Sequence, residues 1–101
     1  MRIVWTPVAV NSLGETVNII TELWSPQIAD TFLNQLDYRI EQIIQNPEIA
    51  PPFKNSYYRQ LFIHKTVSLF YKIDKDYIKI LLIWDNRQDP AKLLKTITSS
   101  T

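Results

Sequence analysis

Apolar positions along this chain follow two periods, one in each half. In the first half Val10, Leu13, Val17, Ile20 and Trp24 recur at spacings of three and four, which draws one buried stripe on a helix. Thr6-Pro7 precedes the stripe as a cap followed by proline at the first helical position, and Ser25-Pro26 repeats that signal. A second stripe runs through Ile28/Ala29, Phe32/Leu33, Leu36, Ile40 and Ile43/Ile44. It stops at Asn46-Pro47, because the residue before proline disfavours helical backbone. The two predicted helices adjoin with almost no loop, so they form a helical hairpin. Gly14 interrupts the first at a cost of about 1 kcal/mol relative to alanine. Ahead of both, residues 2–5 read as a short strand leading straight into the helix.

Residues 47–56 hold three of the six prolines and no period, which predicts a surface crossing. After them the period becomes two. Tyr57–Ile63, Val67–Ile73 and Tyr77–Trp84 are rich in β-branched and aromatic residues, and the short gaps His64-Lys65-Thr66 and Asp74-Lys75-Asp76 make them an antiparallel meander. The last strand is apolar nearly throughout and is therefore placed centrally. Simple alternation puts Ile78, Ile80, Leu82 and Trp84 on one of its faces and Lys79, Leu81 and Ile83 on the other. A polar turn over 85–90 follows. Residues 91–95 then allow one helical turn, and the Thr/Ser tail at 96–101 is expected to be disordered. The predicted fold is α+β, a β-α-α-β-β-β two-layer sandwich. Its helical hairpin packs on one face of a mainly antiparallel four-stranded sheet, with an optional short C-terminal helix and a single domain over 1–95.

Composition narrows the chemistry. A chain of 101 residues that is 46% hydrophobic supports one core. It has no cysteine and one histidine, so disulfides, zinc-thiolate sites and a histidine metal cluster are excluded, and neither a metal nor a cofactor is expected. One glycine leaves no phosphate-binding glycine loop. No apolar run approaches the ~20 residues that span a bilayer, and no leader pattern opens the chain, so a cytoplasmic protein without a membrane partner is expected. The formal charge of +1 hides an asymmetry. Residues 1–50 set two arginines against six carboxylates, a net −4, while residues 51–101 set nine Lys/Arg against four aspartates, a net +5. The basic half suits an anionic partner, nucleic acid or an acidic protein segment.

The candidate site residues are cations and hydroxyls on or beside the sheet: Lys54, Tyr58, Arg59, His64, Lys65, Tyr71 and Arg87. Arg59 stands in an apolar and aromatic strand, so its charge must meet solvent, a carboxylate or a ligand. Arg87 lies on a turn just past the central strand, where packing does not require a guanidinium; its structural alternative is to bond Asp85 or Asp89. The exposed turn position of His64 does not single it out. Trp5, Trp24 and Trp84 fall on apolar stripes and are assigned to core packing.

Taken in order, Ile3-Val4-Trp5-Thr6-Pro7-Val8-Ala9, Ile43-Ile44-Gln45-Asn46-Pro47, Tyr58-Arg59-Gln60-Leu61, Leu69-Phe70-Tyr71-Lys72-Ile73-Asp74 and Ile80-Leu81-Leu82-Ile83-Trp84-Asp85-Asn86-Arg87-Gln88-Asp89-Pro90 resemble the RelE/ParE superfamily of type II toxin-antitoxin toxins, over about residues 2–94. The resemblance implies a small bacterial toxin, of the kind associated with plasmid stabilisation, neutralised by a cognate antitoxin protein. Its target would be either the ribosome with its mRNA (an mRNA interferase) or DNA gyrase, which ParE-like members inhibit without catalysis; a member retaining only antitoxin binding is the alternative. In the RNA-cutting branch a basic residue on the first meander strand, an Arg on the second, an Arg after the last strand and a C-terminal Tyr cooperate. Arg59 and Arg87 match two of these, and Tyr71 joins them as a catalytic candidate. Ser68 occupies the second-strand position and no Tyr follows Tyr77. A nuclease would therefore need substitutes such as Lys65, Lys72 or His64. Lys54, Lys65 and Lys72 are the expected nucleic-acid or target-binding cations.

Overall fold

Thr6 and Ser25 start the two long helices in the way their sequence context requires. Each holds extended backbone and accepts a hydrogen bond from the amide three residues on, Thr6 from Ala9 and Ser25 from Ile28, with proline at the first helical position. The computed structural model describes residues 1–101. The elements are β1 (Arg2–Trp5), α1 (Pro7–Leu23), α2 (Pro26–Gln45), β2 (Arg59–His64), β3 (Val67–Ile73), β4 (Tyr77–Asp85) and α3 (Pro90–Ser100). The sheet order is β1-β4-β3-β2. The β2–β3 and β3–β4 pairs are antiparallel and β1 runs parallel to β4. The architecture is thus the expected α+β sandwich, with the apolar β4 central.

One face of the sheet meets the helical hairpin. Leu61, Ile63, Leu69, Tyr71, Ile78, Ile80 and Ile83 pack there with Ala9 and Ile20 of α1 and with Ala29, Phe32, Leu36 and Ile43 of α2. The stripe on α2 is the expected one. On α1 the buried line shifts to Ala9, Thr16 and Ile20, leaving Val10 exposed and Trp24 partly exposed, because the helix leans on β4 and ends beyond the sheet.

Two expectations are corrected here. Simple alternation fails along β4, because the pairing runs Leu82 with Phe70 and then Ile80 with Tyr71 and leaves Leu81 as a bulge. Ile78, Ile80 and Ile83 consequently face the hairpin, while Leu81, Leu82 and Trp84 face the other way. The chain end is the second. Residues 90–100 form α3, capped by Asp89, and its Leu93 and Ile97 cover Phe70, Leu81, Leu82 and Trp84 on that opposite face. The tail expected at 96–101 is therefore helical through Ser100. The Ser100 hydroxyl is buried, donates to the Leu81 carbonyl at 2.6 Å and is hydrogen-bonded to the Thr6 hydroxyl. The proline-rich crossing also reaches inward: Ala50 is buried, and Phe53 meets Phe70 edge to face at 5.1 Å. No helix is long and apolar enough to cross a membrane.

Candidate functional site

Three connections converge at one end of the sheet: the α1–α2 junction, the β2–β3 hairpin and the turn leaving β4. The last two are tied by pairing of Val67 with Asp85 and by the Asn86 amide, which donates to the Thr66 carbonyl at 2.7 Å. Arg87 is folded back on Asp85 as a bidentate pair, its Nε donating to Oδ1 at 3.0 Å and its Nη2 to Oδ2 at 2.6 Å, while its backbone amide donates to the same carboxylate at 2.9 Å. The Arg87 side-chain hydrogen bonds hold the Asp85 pKa below the ordinary carboxylate value and raise that of Arg87 above its own, so both stay charged.

The same guanidinium lies 5.8 Å from the centre of the Trp24 ring, and the Lys65 ammonium lies 4.9 Å from it. Two of the cations named from sequence are thus brought together around an indole assigned from sequence to the core. Trp24 is 41% exposed. Its place at the end of the α1 stripe, immediately before Ser25-Pro26, was the available signal, since a residue at a helix C-cap points past the surface that the helix covers.

Arg59 and Tyr71 lie elsewhere. They are direct cross-strand partners, so they share the hairpin face. Tyr71 is fully buried. Its hydroxyl donates to the Pro47 carbonyl at 2.6 Å and accepts from the Ala50 amide at 3.4 Å, and Arg59 Nη1 donates to the Ala50 carbonyl at 2.7 Å. Burial raises the Tyr71 pKa above 10.0, which keeps the phenol protonated and donating. Both side chains bind the backbone of the crossing that follows α2. Four residue steps along β3, from Tyr71 back to Val67, separate this pair from the Arg87 end by roughly 13 Å.

Ser68, at the second-strand position, is buried and its hydroxyl accepts from Gln60 Nε2 at 3.0 Å and from Asn86 Nδ2 at 2.7 Å. That spot holds a satisfied neutral network and no cation. Lys72 sits opposite Lys79 on the face away from the hairpin, and Lys54, with a φ of 48°, lies over the Phe53 ring. His64 sits between α2 and the hairpin turn. Its Nδ1 is 2.6 Å from Gln35 Oε1, its ring meets Phe32 edge to face, and its Nε2 is buried without a partner. No group of three His, Cys, Asp or Glu side chains is placed to hold a metal ion.

Comparison with known proteins bears on this arrangement. A family model described as the ParE toxin of the type II toxin-antitoxin system parDE matches residues 3–90. Among solved structures, a chain of the chromosomal ParDE TA system from P. aeruginosa superimposes with a TM-score of 0.70 at 20% identity, over 82% of this chain and 92% of that one. At that identity the likeness is one of fold. No curated protein matches.

Proposed function

The chain belongs to the ParE toxin family of type II toxin-antitoxin systems, and from that membership we propose that it arrests growth by binding DNA gyrase without catalysis and is neutralised by a cognate antitoxin protein. One observation carries the choice against RNA cleavage: the three catalytic candidates do not converge. Phosphoryl transfer from a ribose hydroxyl needs cations aimed at one phosphate and an acid or base within hydrogen-bond reach of it. Arg59 and Tyr71 are engaged with backbone at one end of the sheet, Arg87 is neutralised by Asp85 at the other, and Ser68 supplies no charge between them.

The gyrase reading is tested by inducing the chain alone in cells and following labelled thymidine and labelled amino acid over the first minutes. Thymidine incorporation is expected to fall first, and the purified chain is expected to inhibit supercoiling by purified gyrase. Amino-acid incorporation falling first, with mRNA cut in ribosomes, would overturn it and return Arg59, Tyr71 and Arg87 to the catalytic role. The antitoxin is expected on the basic sheet surface of residues 51–101, drawn there by charge.

A further inference from the structure

We propose that the surface made by Leu23, Trp24, Lys65 and Arg87 is where this toxin grips its target protein, and that it receives an apolar side chain bordered by a carboxylate. The inference rests on the reading of the chain as a toxin that acts by binding a protein. Which protein that is does not enter it.

Four observations meet there. Ile19, Leu23 and Trp24 are 41%, 65% and 41% exposed and lie on the last turns and C-cap of α1, where with Ile20 and Arg87 they line a shallow hollow. Exposed Trp beside Arg is the composition of the energetic centre of an interface rather than of ordinary surface, and the exposed Leu23 and Ile19 extend its apolar area. Next, two cations flank one partly exposed indole, at 4.9 and 5.8 Å, and the Arg87 fork is immobilised by its bidentate bond to Asp85. The Arg87 side chain therefore has little freedom left to lose on binding.

The third observation is the backbone of Lys65. Its φ of 43° lies in the left-handed region, in the hairpin turn closed by pairing of His64 with Val67. Glycine or asparagine relaxes such a position, and nothing in the turn requires a lysine. A lysine in a strained turn conformation beside an exposed indole is a pointer to a use for its side chain. Finally, charge selects the partner. Asp85 offsets Arg87, so Lys65 is left as the one unpaired charge of the patch. A nucleic acid strand calls for several cations tracking successive phosphates, whereas one ammonium beside an apolar rim suits a single Asp or Glu next to an apolar anchor.

The test uses the full chain in three forms: wild type, Lys65→Gly and Leu23→Asp. Lys65→Gly is expected to melt at the same or a higher temperature, because it removes the strain, and Leu23→Asp to melt close to wild type, because the side chain is exposed. Each is expected to weaken growth arrest on induction, and binding of purified gyrase, by about tenfold or more. Undiminished arrest by both folded variants would overturn the inference. So would a fluorescent single-stranded oligonucleotide that binds the wild type and is released by both substitutions, since that outcome assigns the patch to nucleic acid. If the wild type arrests growth and the variants do not, while purified gyrase is neither bound nor inhibited, the gyrase reading fails and the surface stands. A wild-type chain that arrests nothing overturns both.

Discussion

Tyr71 and Arg59 direct their polar atoms to the backbone of one segment. Both close the chain crossing from α2 to β2 by bonding backbone at Pro47 and Ala50. Tyr71→Phe is therefore expected to lower stability by roughly 1–2 kcal/mol in urea titration, with toxicity per folded molecule unchanged. The raised phenol pKa adds a pH signature. Its stabilising contribution is complete below about pH 10 and is lost as pH climbs through the higher folded value. His64 behaves in the opposite sense. Burial, and then the Lys65 charge, push its pKa below 6.5, so the unfolded chain takes up the proton first. Stability should be full above about pH 6.5 and should decline as the medium is acidified towards the folded value; a urea midpoint that falls from about pH 7.5 to about pH 5.5, and falls less in His64→Gln, checks this. At this scale the sequence named Arg59, Lys65 and Arg87 as candidates and offered Asp85 as a partner for Arg87, which the structure realises. The partners of Arg59 and Lys65 were not legible, because they depend on a register that pairs Arg59 with Tyr71 and on the approach of the β2–β3 turn to Trp24.

Among the elements, those with local signals were legible and those made by long-range contact were not. The Thr6-Pro7 and Ser25-Pro26 caps and the Asn46-Pro47 stop marked both long helices to within a residue or so. The extra residue in β4 left no mark in an apolar run, since any of its leucines and isoleucines suits either face, and only pairing with β3 selects Leu81. The Thr/Ser-rich end of α3 read as a tail because its helix depends on burying Leu93 and Ile97 against a face whose orientation that bulge decides. Ile97→Ala should accordingly cost about 2–5 kcal/mol and expose the second apolar cluster, seen as a loss of cooperativity in thermal melting and as dye binding. Gly14 offers the reverse case. A methyl group there meets nothing within 4 Å on an exposed helical turn, so Gly14→Ala should stabilise the chain by roughly 0.5–1 kcal/mol, read as a rise in melting temperature of several degrees.

Across the whole molecule the charge asymmetry of the sequence becomes spatial. The acidic half is mainly the helical hairpin and the basic half is the rest of the sheet with α3, so the protein presents a dipole to an approaching partner. Association with the antitoxin should slow steeply between low and physiological salt, with dissociation changing less; stopped-flow rates at two ionic strengths check this. Fold class was legible at this scale because helices grouped ahead of a meander admit few layer arrangements, whereas the gathering of Trp24, Lys65 and Arg87 was not, since three separate turns supply them. The parallel pairing of β1 with β4 also sets a timetable. Arg2 finds its partner in Tyr77, and Thr6 meets Ser100 across 94 positions. On a ribosome adding about 5–20 residues per second, β1 waits several seconds before the strand it needs has been made. During that interval the helical hairpin can form but the sheet that unites the three turns cannot, so the surface they make is assembled only when translation of the chain is nearly complete.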